Sequence, residues 1–324
     1  MKLGVLGTIC FDEILLLDGS RRESFGGITY NVAALSSVLK DGDTVLPLSN
    51  VGEDRYDAVV AKFSSLPHVD TSGLTKTPGH LMHVVLTWLT EAKRDEKALY
   101  RMPPYDLPTL TKAADCDGVH VNFIHGTELD LKTLAAFRAQ FTGLLSLDVH
   151  NAISKWHENG TRSTVGFRQW PDWVTHFDTV QCNEFEVDAM FERSVTTRRD
   201  FVAAAKEICQ AGPRAVTVSL GPEGAVMVHR KEGDFFLIDI DVLAPKKGFD
   251  TTGCGDSFSA GFLIGMLTHD DPATALACGS VVAGVNARYS GIGQLREARN
   301  YLVAPRTHFA VFRDKPADWP GEAI

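Results

Sequence analysis

The chain has 324 residues, of which 44% are apolar and 23% charged, and its formal net charge is −9 at pH 7. This composition is typical of a globular protein and excludes a disordered or collagen-like chain. The acidic balance, without a basic cluster, argues against a surface for nucleic acid or anionic membrane. The length fits one large α/β domain with insertions or two modest domains.

The cysteines and the N-terminus predict an intracellular context. The six cysteines show no CxxC spacing and lie mostly in apolar runs, so we expect reduced, buried thiols. The N-terminal run MKLGVLGTICFDEILLL is interrupted by Asp12 and Glu13, which predicts neither a signal peptide nor a membrane span. We therefore expect a cytoplasmic protein with no membrane partner and no nucleic-acid partner.

Short apolar runs alternate along the chain with helical patterns. The predicted strands include KLGVLGTI, GVHVNFI, LLSLDV, DTVQC and AVTVSL, and the predicted helices include NVAALSSVL, DLKTLAAFRAQF and RRDFVAAAKEICQAG. Strands this apolar have no solvent-facing side, which indicates a mainly parallel central sheet with helices on both faces. The predicted fold class is therefore α/β.

Two segments break this alternation and predict a small antiparallel sheet outside the main one. The first covers about residues 11–24 and contains FDEILLLDG. The second covers residues 80–102, with a charged turn predicted at Glu91 to Glu96. Since there is no internal repeat and no linker, we interpret both as lid segments of a single domain over residues 1–324.

One face of the second lid segment is apolar, because Val84, Leu86 and Trp88 alternate along its predicted strand. That face either covers a substrate or packs against the lid of a second subunit. The sequence leaves both expectations open, and the second of them is a homodimer formed through the lid.

The stretch FDTTGCGDSFSAGF, residues 249–262, places glycines and acids at the start of a predicted helix. The backbone N–H groups of Gly253, Cys254 and Gly255 would meet the positive end of the helix dipole there and form an anion cradle. Asp256 is then either a helix cap or a base that removes a hydroxyl proton while the cradle stabilises a transferring phosphoryl group. The spacing alone does not choose between the two.

DTTGCGD resembles the DTxGAGD motif of the ribokinase (PfkB) family of carbohydrate kinases, with Cys254 in place of the usual alanine. The resemblance continues, in the family's order, through GGITYN from residue 26, VGED from residue 51, DVHN from residue 148 with Trp156 after it, NEFE from residue 183 and SLGPEGAV from residue 219. It covers nearly the whole chain and implies a ribokinase-like fold, a small β lid and carbohydrate kinase activity. A GxxxxGK[ST] P-loop is absent from the sequence.

The resemblance implies that the sugar is bound by Asp12, Gly26, Gly27 and Asn31. From the residues alone, the two glycines also fit a loop before a helix, and Asn31 also fits a capping or core amide. Cys10 and Ile28 stand where the ribose-binding version has polar residues. We therefore expect a pocket more apolar than one built for ribose.

On the donor side, the resemblance implies that nucleotide is bound by Asn183, Glu186, Ser219, Gly221, Gly224 and Thr252. It also implies that Glu186 and Asn183 hold Mg²⁺ through water, which suits a hard cation. Locally, Asn183 and Glu186 fit an N-cap and its capping-box partner equally well, and the glycines fit a tight turn. Part of the family binds K⁺, and we expect that ion near Asp250, Thr252 and residues 287–293.

The expected activity is transfer of the γ-phosphoryl group of ATP to a primary hydroxyl of a sugar or sugar-like substrate, with Asp256 as base and the N–H groups of Gly253 to Asp256 stabilising charge. The alternative is a nucleoside kinase, which Cys10 and Ile28 favour. A catalytically silent sugar-binding protein of the same fold is the second alternative. The presence of both Asp250 and Asp256 argues against it, and ATP consumption with sugars and nucleosides would separate the three.

Overall fold

The protein, analysed as a computed structural model, is described over residues 1–90, 93–243, 251–289, 293–310 and 312–316. The strands are β1 (Lys2–Leu6), β2 (Ile9–Leu15), β3 (Arg21–Gly27), β4 (Thr44–Gly52), β5 (Leu74–Thr77), β6 (His83–Thr90), β7 (Lys93–Leu99), β8 (Gly118–Asn122), β9 (Leu144–Asp148), β10 (Ser154–Trp156), β11 (Arg162–Thr164), β12 (Thr179–Asn183), β13 (Ala215–Ser219), β14 (Ala225–Lys231), β15 (Asp234–Ile240) and β16 (Phe312–Pro316). The α-helices are α1 (Thr29–Val38), α2 (Tyr56–Ser64), α3 (Leu107–Thr111), α4 (Leu131–Arg138), α5 (Trp170–Val174), α6 (Glu184–Met190), α7 (Arg198–Ala211), α8 (Cys254–His269), α9 (Pro272–Asn286) and α10 (Ala298–Tyr301).

Within these ranges, ten strands form one large sheet in the order β16-β15-β14-β13-β12-β9-β8-β1-β4-β5. The strands from β13 to β5 in that order pair in parallel, and β14, β15 and β16 add antiparallel pairs. The predicted mainly parallel sheet is therefore confirmed. The carboxyl ends of β13, β12, β9, β8 and β1 lie at one edge, which is where ligands bind in open α/β sheets.

Helices cover both faces of the large sheet, because successive side chains of each strand point to opposite sides. In β1, Leu3 and Val5 belong to one buried core, while Leu6 belongs to the other. The first core is completed by residues of α1, α2, α8 and α9, and the second by residues of α4, α6 and α7. In the described ranges, we find no helix whose length and apolar character would let it cross a bilayer.

Five of the ten α-helices in the described ranges begin with a side-chain cap, which satisfies the free N–H groups of the first turn. The capping residues are Asp106 of α3, Asp130 of α4, Asn183 of α6, Thr197 of α7 and Asp271 of α9. Helix α8 is among the other five. It begins after Gly253, whose φ is 74°, and no side chain caps its first turn.

Four strands form a second, small sheet in the order β3-β2-β6-β7. Pairs β2/β3 and β6/β7 are antiparallel, but β2 and β6 are parallel, so the prediction of an antiparallel sheet was wrong at its centre. The physical reason is that β2 follows β1 and β6 follows β5, so both leave the same edge of the large sheet in the same direction. The predicted turn at Glu91 to Glu96 was also too long, because Lys93 to Glu96 already lie in β7.

Strands β10 and β11 form a separate hairpin that contacts the small sheet. The backbone N–H of Ala98 in β7 donates to the carbonyl of Gly160 at 2.9 Å. Arg162 of β11 pairs with Glu96 of β7 at 2.9 Å. The hairpin therefore connects the chain that follows β9 to the outer strand of the small sheet.

Candidate active site

Four neighbouring parallel strands end in a polar residue at the same edge of the large sheet. Asn122 ends β8, Asp148 ends β9, Asn183 ends β12 and Ser219 ends β13. The strand register places Asn122 beside Asp148 and Asn183 beside Ser219. These side chains therefore form a row at the edge where ligands are expected.

The first turn of α8 is fixed by contacts with α1 and α9. A Cβ at Gly253 would lie 2.5 Å from Cδ1 of Tyr30, so only glycine allows this approach in a conformation with positive φ. The buried Asn286 of α9 donates from Nδ2 to the carbonyl of Thr252 at 2.8 Å. The Cys254 thiol donates to the carbonyl of Ala283 at 3.6 Å. The cysteine that replaces alanine therefore points toward α9, and the turn remains uncapped by a side chain.

Asp256 in this turn is joined to β8 and α1 by amides. Asn122 Nδ2 donates to Asp256 Oδ1 at 2.8 Å and to Asn31 Oδ1 at 3.1 Å. Asn31 Nδ2 donates to the Asp256 carbonyl at 3.2 Å. Because an ionised carboxylate only accepts hydrogen bonds, the Asn122 amide has a fixed orientation and its Oδ1 accepts from His150 Nδ1 at 3.1 Å.

Asp256 has the electrostatics of a base that works near neutral pH. Burial raises the pKa of Asp256 to about 6, while the hydrogen bonds from Asn122 and Asn31 pull it down. The carboxylate is thus ionised at pH 7 and more basic than an ordinary aspartate. Burial, together with the charge of Arg162, lowers the pKa of His150 to about 4, so that imidazole is neutral and adds no charge beside the base.

Two more buried carboxyl groups lie along the row. Burial, Glu186 and Asp256 raise the pKa of Asp148 well above its ordinary value, and burial is the main cause that raises the pKa of Glu186 to about 7. Gln181 Nε2 donates to Asp148 Oδ2 at 3.3 Å, and Ser259 Oγ donates to Gln181 Oε1 at 2.9 Å. The carboxyl groups repel one another, so a cation or a proton among them is favoured.

Asn183 and Glu186 form the capping box that their spacing predicts. Asn183 Oδ1 accepts from the Glu186 N–H at 2.9 Å, and Glu186 Oε2 accepts from the Asn183 N–H at 2.9 Å. The described residues contain no group of three or more His, Cys, Asp or Glu side chains placed to hold a metal directly. The donor set of Asp148 and Glu186 nevertheless fits Mg²⁺ held through water, because it consists of oxygen atoms whose mutual repulsion a cation would relieve.

The predicted acceptor residues meet where β2 pairs with β3. Asp12 lies inside β2, the strand that follows β1, and its Oδ1 accepts from the Cys10 thiol at 3.2 Å. A Cβ at Gly26 would lie 2.0 Å from Asp12 Oδ2, so the glycine leaves room for the carboxylate. Gly27 has a φ of 63°, and a Cβ there would lie 2.1 Å from the carbonyl of Thr8. The fold therefore requires Gly27, whereas Gly26 makes room for the side chain of Asp12.

Asn31 and Ile28 lie deeper than their motif suggested. Asn31 is fully buried, and both ends of its amide bond to protein groups. Ile28 has no exposed surface, and a Cβ at Gly7 would lie 2.5 Å from its Cγ2. Ile28 therefore does not make the pocket more apolar, which removes one of the two features that favoured a nucleoside.

The nucleotide-side glycines lie in the turn between β13 and β14. Gly221 has a φ of 54° with nothing within 4 Å of a Cβ built there, whereas a Cβ at Gly224 would lie 2.0 Å from the Ile240 carbonyl. Gly224 is therefore a requirement of the turn, and Gly221 leaves open space after Ser219. Of the predicted K⁺ ligands, Asp250 and residues 290–292 lie outside the described residues, and the Thr252 carbonyl accepts from Asn286.

Sequence reasoning missed several residues of this site. They are Asn122, Gln181, Ser259 and Asn286, and Asp148 and His150 were noted only as part of a motif. A signal for the strand residues was available, because GVHVN, LLSLD and TVQCN each end a buried strand with a polar side chain. In a parallel sheet, such endings lie at the same edge.

Over residues 6–299 the chain matches the family described as pfkB family carbohydrate kinase. A fructokinase of Escherichia coli is 25% identical over 275 residues, which are 82% of this chain and 84% of the relative. A ribokinase of Arabidopsis thaliana, solved with ribose and ATP, is similar with a TM-score of 0.74 and 17% identity over 93% of this chain and 98% of its own. A pyrophosphate-dependent kinase of the ribokinase family, solved with a pyrophosphate analogue and myo-inositol, is similar with a TM-score of 0.73 and 15% identity over 92% and 99% of the two chains.

These likenesses confirm the ribokinase-like α/β fold that the motifs predicted. The family match covers both the GGITYN and the DTTGCGD motifs. In the structure, Gly253 to Asp256 of the second motif form the start of α8, and Asp256 lies in its first turn. The chain therefore belongs to the pfkB family of carbohydrate kinases.

Proposed function

We propose that this protein transfers the γ-phosphoryl group of ATP to a primary hydroxyl of a sugar or sugar-like substrate. One observation carries the proposal: Asp256, whose pKa is raised to about 6 by burial, lies in the first turn of a helix that no side chain caps. A base and an anion-binding backbone at the same point suit phosphoryl transfer to a hydroxyl.

The acceptor lies between Asp12, Gly26 and Gly27 on one side and Asp256 on the other. Asp256 takes the proton of the attacking hydroxyl, whose oxygen forms a bond to the γ-phosphorus as the bond to the β–γ bridging oxygen breaks and ADP leaves. The N–H groups of Gly253 to Asp256 stabilise the charge on the phosphoryl oxygens. Asn122 and Asn31 hold the base in place through the amides described above.

On the donor side, Thr252, Ser219 and Gly221 contact the nucleotide phosphates. Glu186, Asn183 and Asp148 would hold Mg²⁺ through water, and the ion would supply charge that neutralises the phosphates. Because one similar structure is of a pyrophosphate-dependent kinase, the donor is tested with both ATP and pyrophosphate. We propose ATP as the preferred donor.

The small sheet acts in this proposal as a cover for the acceptor. The hydrogen bond between Ala98 and Gly160 joins its outer strand to the β10–β11 hairpin. Closure would exclude water that competes with the acceptor hydroxyl. Pairing of two small sheets in a homodimer is the competing role.

The test is ADP formation with a panel of sugars, polyols and nucleosides, in the wild type and in Asp256→Asn. We expect the substitution to lower turnover by about two to four orders of magnitude, the contribution of a positioned base. The control is Asp270→Asn at the other end of α8, where the residue has a φ of 47° that asparagine tolerates. A variant at residue 256 that keeps more than about a tenth of wild-type turnover would contradict the assignment of the base.

A nucleoside acceptor and a silent sugar-binding protein are outcomes of the same panel. ADP formation only with nucleosides would show that the acceptor is a nucleoside and not a sugar. Sugar binding without ADP or phosphate release from either donor would identify a silent protein.

A further inference from the structure

Beside the proposed acceptor site, three side chains with hydrogen-bond donors lie together. We call His125, Trp156 and Arg162 the donor cluster. The rings of His125 and Trp156 are parallel within 7°, with their centroids 6.3 Å apart. Arg162 lies opposite Trp156 in the β10–β11 hairpin, with its guanidinium carbon 5.4 Å from the indole centroid.

Two nitrogen atoms of this cluster are buried and unused: the indole N–H, which is a donor, and the imidazole Nε2, which donates when Nδ1 accepts from the Thr127 hydroxyl. The exposed fraction is 5% for His125 and 6% for Trp156. In the described part of the chain, neither His125 Nε2 nor Trp156 Nε1 has a hydrogen-bond partner. An indole N–H can only donate, and a buried donor without an acceptor is costly. Two such atoms on stacked rings indicate a place for acceptor oxygens of a ligand.

The His125 ring is held in a neutral, fixed state. Its Nδ1 bonds with Thr127 Oγ1 at 2.7 Å. Burial, together with the charge of Arg101, lowers the pKa of His125 to about 4. The backbone N–H of Gly126 donates to the buried Glu128 carboxylate at 2.7 Å. Only Nε2 of the imidazole therefore remains for a ligand.

Arg162 supplies the positive charge of the cluster. Its Nη2 donates to Glu96 Oε2 at 2.9 Å, and its Nη1 donates to Asn151 Oδ1. The side chains of Arg162 and Glu96 keep 32% and 25% of their surface exposed, so this pair can separate at little cost. Asn151 is itself fixed by donating to the Ile124 carbonyl at 2.7 Å.

The donor cluster is connected by contacts to both ends of the proposed acceptor site. Ile124, which precedes His125, has its Cγ2 3.3 Å from the Cβ position of Gly27. Arg162 pairs with Glu96 of the small sheet, whose strand β2 carries Asp12. Arg162 also bonds with Asn151, whose neighbour His150 bonds with Asn122, the residue that donates to Asp256. The cluster therefore adjoins the proposed acceptor site.

We propose that His125, Trp156 and Arg162 form a subsite for an anionic oxygen group, a carboxylate or a phosphate, that the acceptor carries at the end remote from the transferred hydroxyl. This inference rests on the proposed kinase function. An indole N–H, an imidazole nitrogen and a guanidinium offer donors and positive charge, which match an oxyanion better than a hydroxyl that must also donate. The subsite would thus select acidic or already phosphorylated sugars over neutral ones.

The experiment uses acceptors of equal carbon number that differ at C1, where the aldonates are open chains and the sugars and their 1-phosphates are rings. The six-carbon set is glucose, gluconate and glucose 1-phosphate, and the five-carbon set is ribose, ribonate and ribose 1-phosphate. Every compound has a primary hydroxyl at the opposite end. We expect an anionic member of one set to exceed its neutral counterpart by about 10- to 100-fold in kcat/KM, since charge-assisted hydrogen bonds are the strong ones. The two anionic arms distinguish a carboxylate from a phosphate.

Trp156→Phe removes the indole N–H and keeps an aromatic ring, and Arg162→Gln removes the charge and keeps a donor. Each should raise KM for the preferred anionic acceptor by about tenfold or more and leave kcat within a few-fold, because the contact is remote from the reacting atoms. KM for the neutral acceptor should hardly change. A structural role would instead affect both acceptors equally.

Matched controls are available elsewhere in the chain. Trp170→Phe changes a buried indole that packs on Phe191. Arg193→Gln changes an arginine that pairs with Glu207 at 2.7 Å and lies over the Phe191 ring at 4.5 Å, the same kinds of contact that Arg162 makes. Both controls should leave the preference for the anionic acceptor unchanged.

The failure of this inference differs from failure of the proposed function. If the neutral member of each set is the better acceptor, the subsite is overturned and the kinase stands. If no compound yields ADP, calorimetric titration of gluconate, ribonate and the two sugar phosphates decides. Binding that weakens in both Trp156→Phe and Arg162→Gln supports the subsite, and absence of binding, or binding unchanged in the variants, overturns it.

Discussion

Asn122 at the end of β8 donates from Nδ2 to Oδ1 of Asp256 in the first turn of α8, at 2.8 Å. The same amide also donates to Asn31 and accepts from His150. The orientation of the proposed base is therefore set by a residue of the sheet and not by its own helix. The hydrogen bond from this neutral amide lowers the pKa of the proposed base.

Asn122→Ala should shift the pH dependence of turnover. The hydrogen bond from Asn122 lowers the pKa of Asp256, which burial raises to about 6, so its loss raises that pKa further. A base must be ionised, hence the acid limb of kcat/KM should move to higher pH, and turnover at pH 6 should fall by about tenfold or more. Asn50→Ala, which removes another buried amide, is the control. An unchanged acid limb in Asn122→Ala would show that this bond does not tune the base.

Asp256→Asn should stabilise the fold at neutral pH while abolishing most turnover. The pKa of Asp256 is about 6 in the fold against an ordinary value of 3.8. Raised pKa means that ionisation costs stability, so the cost is absent below the ordinary value and is fully present above pH 6. The difference in Tm between the variant and the wild type should thus appear between about pH 4 and pH 6 and persist at pH 8. Equal Tm values at pH 8 would show that the carboxylate is not strained in the fold.

Asp12→Ala and Asn31→Ala should fail in different ways. Asp12 lies against Gly26 in the proposed acceptor site, so its loss should weaken acceptor binding by about 1 to 3 kcal/mol and leave ATP affinity unchanged. Asn31 is fully buried and bonds with Asp256 and Asn122, so its loss should mainly lower kcat. Steady-state kinetics and calorimetry separate the two. An Asn31→Ala variant with raised acceptor KM and normal kcat would return this residue to a direct sugar contact.

Gly26→Ala should act through Asp12. A Cβ at residue 26 would lie 2.0 Å from Asp12 Oδ2, so the carboxylate must move, and acceptor affinity and stability should both fall. In an Asp12→Ala background the same substitution should cost much less stability, because the clashing atoms are gone. Denaturant unfolding of the four proteins measures this coupling. If the two losses of unfolding free energy are additive, the strain lies in the backbone at residue 26 and not in the contact with the Asp12 side chain.

The segment from residue 80 to residue 102 should be protected when acceptor binds. It contributes the two strands β6 and β7, and hydrogen exchange there should slow on adding an acceptor if the small sheet closes over the cleft. Slow ATP hydrolysis without acceptor is expected for the same reason. Exchange that is already slow without ligand and depends on protein concentration would instead indicate a fixed dimer contact.

The sequence by itself determined the fold class, five of the ten strands of the large sheet, the helices α1, α4, α7 and α8, and the identity of the proposed base. These features are local, because apolar periodicity defines strands and helices, and the glycines of TTGCGD specify a turn with positive φ before α8. The capping box of Asn183 and Glu186 was predictable for the same reason, since its two members lie within one turn.

Only the tertiary structure decided which side chains support the base and where the donor cluster lies. Asn122 and Asp256 are 134 residues apart, and Arg162 and Glu96 are 66 residues apart. The first contact depends on the order of strands in the large sheet, and the second depends on the position of the β10–β11 hairpin beside the small sheet. The pattern of apolar and polar residues within one element carries no information about either. The parallel pairing of β2 with β6 likewise follows from the edge at which both strands leave the large sheet, which only the assembled topology defines.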